Sequence, residues 1–298
     1  MAYWNRNNLL LLMILFFRLT ILSSTRLERE CLGTTNGFTI SGNFSTHYKN
    51  LRSRYENCNI VLGNLEVTNL MDRTINYDLS FLQDIRMVTG YVLIGLLSDV
   101  RILHLPNLEI IRVDLPFKLF DQEYGLVVAL TSRNFVRGLK ELHLPALKEI
   151  SRGKALFVEN PLLCYVNTIP WNDITFGQQA SVDILKHGVA PQDQCGNCSM
   201  LCERDGRGVR RCWGPEVDQC HTGILFRCQE ECLTWCFNPR AFGCCHLQCA
   251  VGCYGPSDTE CLTCKYFRYG GRCVPECPEG YYDIGQECII KEKILATN

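Results

Sequence analysis

Cysteine is the residue type that gives this sequence its chemistry, because a thiol can form a disulfide, bind a metal or act in redox catalysis. The chain has 298 residues and 20 cysteines, three within residues 31–194 and seventeen within the 104 residues 195–298. This second density exceeds the roughly 8–10% that is typical of a disulfide scaffold. Because the segments between these cysteines are short and poor in apolar side chains, we predict that disulfides replace a core there. The even total allows every cysteine to be paired.

Zinc binding is the competing use of these thiols. Cys195-x2-Cys198 and Cys261-x2-Cys264 have zinc-ribbon spacing, and His221 and His246 lie nearby. Zinc is disfavoured because extracellular thiolates are oxidised and the other cysteines leave no tidy set of four ligands. Redox catalysis is disfavoured because no strand–helix pattern surrounds the Cys-x2-Cys pairs. We predict no metal and no cofactor.

The first 24 residues are typical of a secretory signal peptide. Arg6 precedes an apolar run from Leu9 to Phe17, and the small residues Ser23 and Ser24 lie near a possible cleavage site. A membrane anchor is the alternative, but this run is shorter than the roughly 20 residues that span a bilayer, and Arg18 interrupts it. No other long apolar run follows. We therefore predict a secreted, extracellular product without a membrane span.

Charge and motifs argue against nucleic acid binding and against catalysis. The 30 basic and 31 acidic side chains give a net charge of −1, so no charge-driven nucleic acid or membrane partner is expected. Gly-x-Ser-x-Gly, His-Glu-x-x-His and phosphate-loop motifs are absent. We interpret Glu230 and Glu231 as solvated residues rather than an acid–base pair. The basic loop before Cys212 is interpreted as solvated, with proteolytic cleavage at Arg210-Arg211 as the alternative.

A degenerate repeat organises the first half of the chain. Leu-x-x-Leu-x-x-Ile begins at Leu79, Leu105 and Leu144, at spacings of 26 and 39 residues. Apolar segments that predict strands begin at Gly90, Gly125 and Gly153. Stacked turns of unequal length, sharing one core, favour a short parallel β-helix over a leucine-rich repeat, whose period is 20–29 residues. A helix is predicted over His47–Tyr55, between Cys31 and Cys58.

Several of these segments resemble a known family. CLGTTNGFTISGNF at Cys31, ENCNIVLGNLEVTNL at Glu56, NYDLSFLQDIRMVTGYVLIGL at Asn76 and LPNLEIIR at Leu105 are similar to the first ligand-binding domain of epidermal growth factor receptors. CGNCSMLC, CWGPEVDQC and CCHLQCAVGCYGPSDTECLTCKYF resemble the furin-like cysteine-rich domain that follows it. The resemblance implies a mainly β fold: a right-handed parallel β-helix, the receptor L domain, over residues 25–194 and a furin-like domain over residues 195–298.

The resemblance also implies a disulfide pairing and a role for Trp213. Trp213 matches a tryptophan that plugs the end of the β-helix, with a surface tryptophan as the alternative. The implied pairs are Cys31–Cys58, Cys164–Cys195, Cys198–Cys212, Cys202–Cys220, Cys228–Cys236, Cys232–Cys244, Cys245–Cys253, Cys249–Cys261, Cys264–Cys273 and Cys277–Cys288.

By resemblance, the function is growth-factor binding through one face of the β-helix. This face would bind an EGF-like ligand partly by strand addition, with an acidic contact from Asp121. The apolar contacts implied are Phe38, Ile40, Leu96, Ala129 and Leu130. Core packing is the alternative for each apolar residue. The chain would be a weakly binding receptor ectodomain or a secreted decoy. The alternatives are the N-terminal part of a transmembrane receptor tyrosine kinase, or an inhibitor that pairs with a receptor ectodomain and binds no ligand.

Two further expectations concern the surface of the protein. Asn43-Phe-Ser and Asn197-Cys-Ser are glycosylation sequons, and Asn43 is the better candidate because Asn197 lies among cysteines that pair early. Only ten residues separate Cys277 from Cys288, where epidermal growth factor receptors have a long dimerisation hairpin. We therefore predict a monomer, in which Tyr281 and Tyr282 form at most a small contact patch.

Overall fold

The computed structural model describes residues 29–40, 42–175, 181–205, 207–222, 228, 232, 235–238, 243–284 and 286–290. The predicted signal peptide over residues 1–24 lies outside the described residues, and so do Glu230 and Glu231. Among the residues that are described, no helix is both long and apolar enough to cross a bilayer.

Short strands dominate the first half. In chain order they are β1 (Glu30–Leu32), β2 (Ile60–Leu62), β3 (Leu65–Thr68), β4 (Met87–Val88), β5 (Val92–Gly95), β6 (Ile102–His104), β7 (Ile110–Ile111), β8 (Phe117–Leu119), β9 (Gln122–Ala129), β10 (Ser132–Arg133), β11 (Arg137–Gly138), β12 (Glu141–His143), β13 (Glu149–Ile150), β14 (Lys154–Val158) and β15 (Val182–Ile184). Helical segments are Phe44–Tyr55 and Trp171–Ile174, with 3-10 turns at Ser80–Leu82, Val166–Thr168, Gln192–Gln194 and Val217–Gln219.

These strands form three parallel stacks around one core. The first sheet has the order β1-β2-β4-β7-β13, the second β15-β14-β9-β5-β3, and the third pairs β6 with β12. All of these pairings are parallel, and only β8 joins the second sheet in antiparallel fashion. Consecutive strands such as β4, β5 and β6 belong to different sheets, so the chain winds around the core. The first and second sheets each gain five strands in this way, and the third consists of β6 and β12. The predicted parallel β-helix is confirmed.

The leucines of the repeat point into the core of the β-helix. In all three copies the two leucines are at most 8% exposed and belong to the main apolar core. The first copy departs from the predicted spacing, because the first sheet pairs Ile111 with Val88 rather than with Ile85. A 3-10 turn at Ser80–Leu82 accommodates the three extra residues. Ile85 still lies in the core, fully buried.

The helix begins three residues before its predicted start. It spans Phe44–Tyr55 rather than His47–Tyr55, because the Asn43 side chain accepts a 2.8 Å hydrogen bond from the Thr46 amide and caps the N-terminus. Leu51 and Tyr55 are its buried residues, and both join the core. The helix is thus fixed to the first turn of the β-helix, where the Cys31–Cys58 bridge also lies.

The second half consists of short hairpins joined by disulfides. Its strands are β16 (Cys236–Asn238), β17 (Gly243–Cys244), β18 (Cys249–Cys253), β19 (Cys261–Cys264), β20 (Phe267–Tyr269), β21 (Arg272–Val274), β22 (Tyr281–Ile284) and β23 (Glu287–Ile290). No cysteine is free, and the ten bridges join the same pairs that the resemblance implies. The Cys-x2-Cys thiols that would have bound zinc are therefore all in disulfides.

Trp213 inserts from the cysteine-rich half into the core of the β-helix. It is 1% exposed and meets Trp171 edge to face, with ring centroids 5.8 Å apart. Its indole N–H donates to Nδ1 of the buried His221 at 3.2 Å. The plug position implied by the resemblance is thus occupied by a buried ring rather than by a surface residue.

A buried carboxylate joins the two halves a second time. Glu149 on β13 is 2% exposed, and its Oε2 accepts hydrogen bonds from Trp235 Nε1 at 3.0 Å and from the Val251 amide at 3.2 Å. Ser151 Oγ donates to Oε1 at 2.7 Å. Beside this carboxylate, an apolar row on the first sheet packs against Ala250 and Val251. These contacts hold the cysteine-rich half against the first sheet.

Candidate functional site

The second sheet has an inner and an outer face, and strand alternation assigns each residue to one of them. On β9, Val128 belongs to the main core, whereas Val127 and Ala129 belong to a separate apolar cluster on the outer face. Phe117 and Leu119 of β8 pack against this cluster. The middle of the outer face is therefore covered by the chain's own β8–β9 hairpin.

The rim where these strands end carries a row of residues in the left-handed conformation. Four residues that directly follow successive strands of the second sheet have a φ between 54° and 60°. They are Asn69, Leu96, Leu130 and Glu159. Their backbones stack, since Leu96 N donates to Ala129 O at 3.3 Å and Leu130 N donates to Val158 O at 3.0 Å. A left-handed conformation costs a branched residue about 1 kcal/mol or more, so the stacked corner must hold both leucines in place.

Two of the implied contact residues therefore point outward at this rim. Leu130 is 44% exposed and Leu96 is half-buried. Ala129 is on the outer face but only 5% exposed, so it lies at the base of the rim and does not project from it. Neither leucine belongs to the inner core, so core packing, the alternative interpretation, does not apply to them.

Phe38 completes the rim from the other side. Its ring lies directly over Gly95, where an added Cβ would come within 2.5 Å of Phe38 Cε1. Glycine is thus required at this position for the ring to approach β5 this closely. Phe38 keeps 37% of its surface exposed, and its carbonyl accepts from Asn69 Nδ2 at 3.1 Å. Ile40 follows two residues later and is half-buried.

Glu66 fixes the segment that carries Phe38. Its carboxylate is 4% exposed in the apolar strand β3 and accepts four hydrogen bonds. The donors are the hydroxyl of Thr34 at 2.6 Å, the amide of Asn36 at 2.7 Å, the amide of Gly37 at 3.0 Å and the phenol of Tyr91 at 2.7 Å. Burial, together with this carboxylate, raises the pKa of the Tyr91 phenol. Sequence reasoning missed Glu66, although a lone acid within an apolar strand is a visible signal.

Asp121 is not brought together with the other five residues. It lies with Phe120 at the two-residue tip of the β8–β9 hairpin, where Leu119 pairs with Gln122. Ala129 is at the far end of β9, about 23 Å away at about 3.3 Å per residue. If Asp121 contacts a ligand, it would therefore meet a different part of that ligand than the rim residues do. Phe120 beside it is 86% exposed.

The remaining predicted residues lie away from this rim. Asn43 and Asn197 are both exposed. Arg207 and Val209 of the basic loop before Cys212 are exposed, as a solvated loop requires. Arg211 is held at the base of this loop by a 2.7 Å ion pair with Asp205 and a 2.8 Å hydrogen bond to the Thr168 carbonyl. Within the described ranges, no group of three or more His, Cys, Asp or Glu side chains is arranged to hold a metal ion.

Two family models match the chain. The receptor L domain model covers residues 57–175, and the furin-like cysteine rich region covers residues 186–298. The predicted division between residues 194 and 195 stays a prediction.

Known relatives match over most of the chain. An epidermal growth factor receptor of Drosophila melanogaster is 34% identical over 279 residues, which cover 87% of this chain and 18% of the relative. The human receptor tyrosine-protein kinase erbB-4 is 40% identical over 257 residues, 85% of this chain and 18% of the relative. An epidermal growth factor receptor of Gallus gallus is 33% identical over 295 residues, 93% of this chain and 40% of the relative. The chain spans well under half the length of each of these relatives. With these relatives and these two domains in this order, the chain belongs to the epidermal growth factor receptor family and carries an L domain and a furin-like region of its ectodomain.

Proposed function

We propose that this chain is an extracellular growth-factor-binding segment and that its rim contacts an EGF-like polypeptide. The observation that carries the proposal is the outward rim of Phe38, Leu96 and Leu130. It is apolar, held rigid by backbone stacking, and open beside a face that is otherwise covered. Exposed apolar side chains at the edge of a rigid scaffold are typical of protein-binding surfaces. Strand addition would use β3, the edge strand of the second sheet, which the Thr34–Phe38 segment flanks.

Binding by these residues alone is expected to be weak. In this family a second homologous L domain grips the other side of the ligand, and residues 57–175 supply one such domain. Losing half of an interface forfeits several kcal/mol, and each 1.4 kcal/mol is a factor of ten. We expect a dissociation constant in the micromolar range or above. The chain would then act as a weak decoy or modulator when it is secreted.

Surface plasmon resonance on the immobilised chain tests the proposal. An EGF-like growth factor should bind, and Leu130→Asp should weaken binding about tenfold because it places a charge in the apolar rim. Leu247→Asp is the matched control, since Leu247 is similarly exposed at 52% but lies in the cysteine-rich half. Equal affinity of the two variants would overturn the rim assignment. Retention of a receptor ectodomain without the growth factor would instead favour a receptor-pairing inhibitor.

A second candidate is supported by the relatives. Those named receptor tyrosine-protein kinases are much longer than this chain, which covers 18% of the human one. These residues would then be the N-terminal part of a transmembrane receptor. A transcript with an open reading frame that continues into a membrane-spanning helix and a kinase domain would establish this candidate, and a stop codon after Asn298 would exclude it.

A further inference from the structure

A cavity of about 410 Å³ lies between the β10–β11 hairpin and the segment that leads to Cys195. This volume falls within the roughly 300–1,000 Å³ that is typical of ligand sites. None of the six implied growth-factor contacts lines it. The charged residues of its wall are Asp99, Arg101, Arg137 and Lys140.

The backbone places two of these cations side by side. Lys140 N donates to Arg101 O at 2.8 Å, so the two residues occupy equivalent positions on successive turns, just before β12 and β6. Neighbouring strands lie about 4.8 Å apart. Like charges directly opposite each other destabilise a sheet. The fold therefore maintains an unfavourable pair of positive charges on one wall of the cavity.

The protein's own acidic group does not neutralise this pair. Asp99 is occupied by Arg137, whose guanidinium forms a 2.7 Å ion pair with its buried carboxylate. Within the part of the chain that is described, neither Arg101 nor Lys140 has an ion-pair partner for its side chain. The partly enclosed walls concentrate the resulting positive potential. Arginine offers a fork of donors that fits a carboxylate or sulfate, and lysine adds a point charge.

We propose that this cavity binds an anionic saccharide unit, with its sulfate or carboxylate group between Arg101 and Lys140. A single oxyanion would fill only a small part of the volume, so the ligand must carry more than the charged group. Val100, Val136 and Leu162 line the cavity and provide surface for the C–H faces of a sugar ring. Gln194 adds an amide that can form hydrogen bonds with hydroxyls, whereas the Ser98 hydroxyl donates to Asp99 Oδ2 at 3.1 Å. This proposal does not depend on growth-factor binding.

Isothermal titration of the full chain with a heparin-derived sulfated disaccharide tests the site. The disaccharide should bind, and the double variant R101Q/K140Q should bind at least tenfold more weakly. The matched control is K49Q/R73Q, which removes the same charge from exposed positions outside the cavity. The desulfated disaccharide identifies the recognised group: if it binds equally well, the site reads the carboxylate, and if it fails to bind, the site reads the sulfate.

Other outcomes would overturn the proposal. They are no binding to the unmodified chain, equal losses in the two double variants, and inorganic sulfate binding as tightly as the disaccharide. Thermal unfolding without ligand gives an independent check. The R101Q/K140Q variant should melt at the same temperature as the unmodified chain or higher, because it relieves a repulsion. A lower melting temperature would mean that the two cations stabilise the fold and are not kept for a ligand.

Discussion

His221 lies beside Trp213 in the plug and is 2% exposed. Burial, together with the Arg211 guanidinium, lowers the pKa of His221 to about 4 from its usual 6.5. Its Nδ1 accepts the Trp213 N–H, and within the described structure its buried Nε2 has no partner. A second proton on this ring would therefore be both desolvated and uncompensated.

The folded state should lose stability as the pH falls from about 6.5 to about 4. The unfolded chain binds a proton on His221 in this range and the folded chain does not, so acid favours unfolding by up to about 3 kcal/mol. Urea unfolding at pH 7.5, 6 and 4.5 measures this change. His104, whose pKa burial and His143 also lower, contributes in the same direction. The comparison is therefore with His221→Gln, which should show a flatter pH profile. Parallel profiles would contradict the assignment.

Trp213 itself should contribute strongly to stability. Trp213→Ala removes a fully buried ring from the core and leaves a cavity beside Trp171, which we expect to cost about 3 kcal/mol or more. The free energy of unfolding in urea measures it. Tyr254→Ala is the control, because Tyr254 is an aromatic residue of the same half that is 78% exposed. Similar losses in both variants would show that Trp213 does not act as a plug.

At the scale of elements, Glu66 connects β3 to the segment that carries Phe38. Glu66→Ala would leave four donors without their acceptor, and each unsatisfied buried group costs about 1–3 kcal/mol. We expect the Thr34–Phe38 segment to detach and growth-factor affinity to fall about tenfold. Titration of the variant by surface plasmon resonance measures the fall. Glu56→Ala is the control, since its side chain is 52% exposed at the end of the helix. An unchanged affinity for Glu66→Ala would separate Phe38 from ligand binding.

The sequence allowed the turns of the β-helix to be predicted but not its corners. Period and burial follow from the spacing of leucines, because each turn must place them in the shared core. The positive φ values of Leu96 and Leu130 contradict local preference and exist only because neighbouring turns stack on them. The four donors to Glu66 come from residues 25 to 32 positions away, so no local pattern reveals them. The family resemblance identified rim residues, whereas the structure separated Asp121 from them.

At the scale of the whole molecule, several contacts join the described residues of the cysteine-rich half to the β-helix. Trp213 enters the core from one end, and Glu149 accepts Trp235 and Val251 on the first sheet. Arg112 adds a third contact, donating to the Tyr266 carbonyl at 2.9 Å and lying 5.7 Å from the Phe267 ring centroid. These contacts and the Cys164–Cys195 bridge couple the two halves into one unit.

We expect this unit to be monomeric. The β22–β23 hairpin has two four-residue strands, each about 13 Å long, and the Cys277–Cys288 bridge closes it. Tyr281 packs edge to face on Tyr269 of β20, with centroids 4.9 Å apart, so its ring is used within the four-stranded sheet β21-β20-β23-β22. Analytical ultracentrifugation at micromolar concentration should give the mass of one chain. A dimer that Tyr281→Ala and Tyr282→Ala abolish would show that the short hairpin still pairs two molecules.

The most direct test of the account is hydrogen–deuterium exchange of the whole chain with and without a saturating EGF-like growth factor. Backbone amides at the rim, in the peptides that contain Phe38, Leu96 and Leu130, should exchange more slowly when the growth factor is bound. Peptides of the β22–β23 hairpin should be unchanged and serve as the internal control. Protection confined to the cysteine-rich half, with no change at the three rim peptides, would contradict growth-factor binding by this surface.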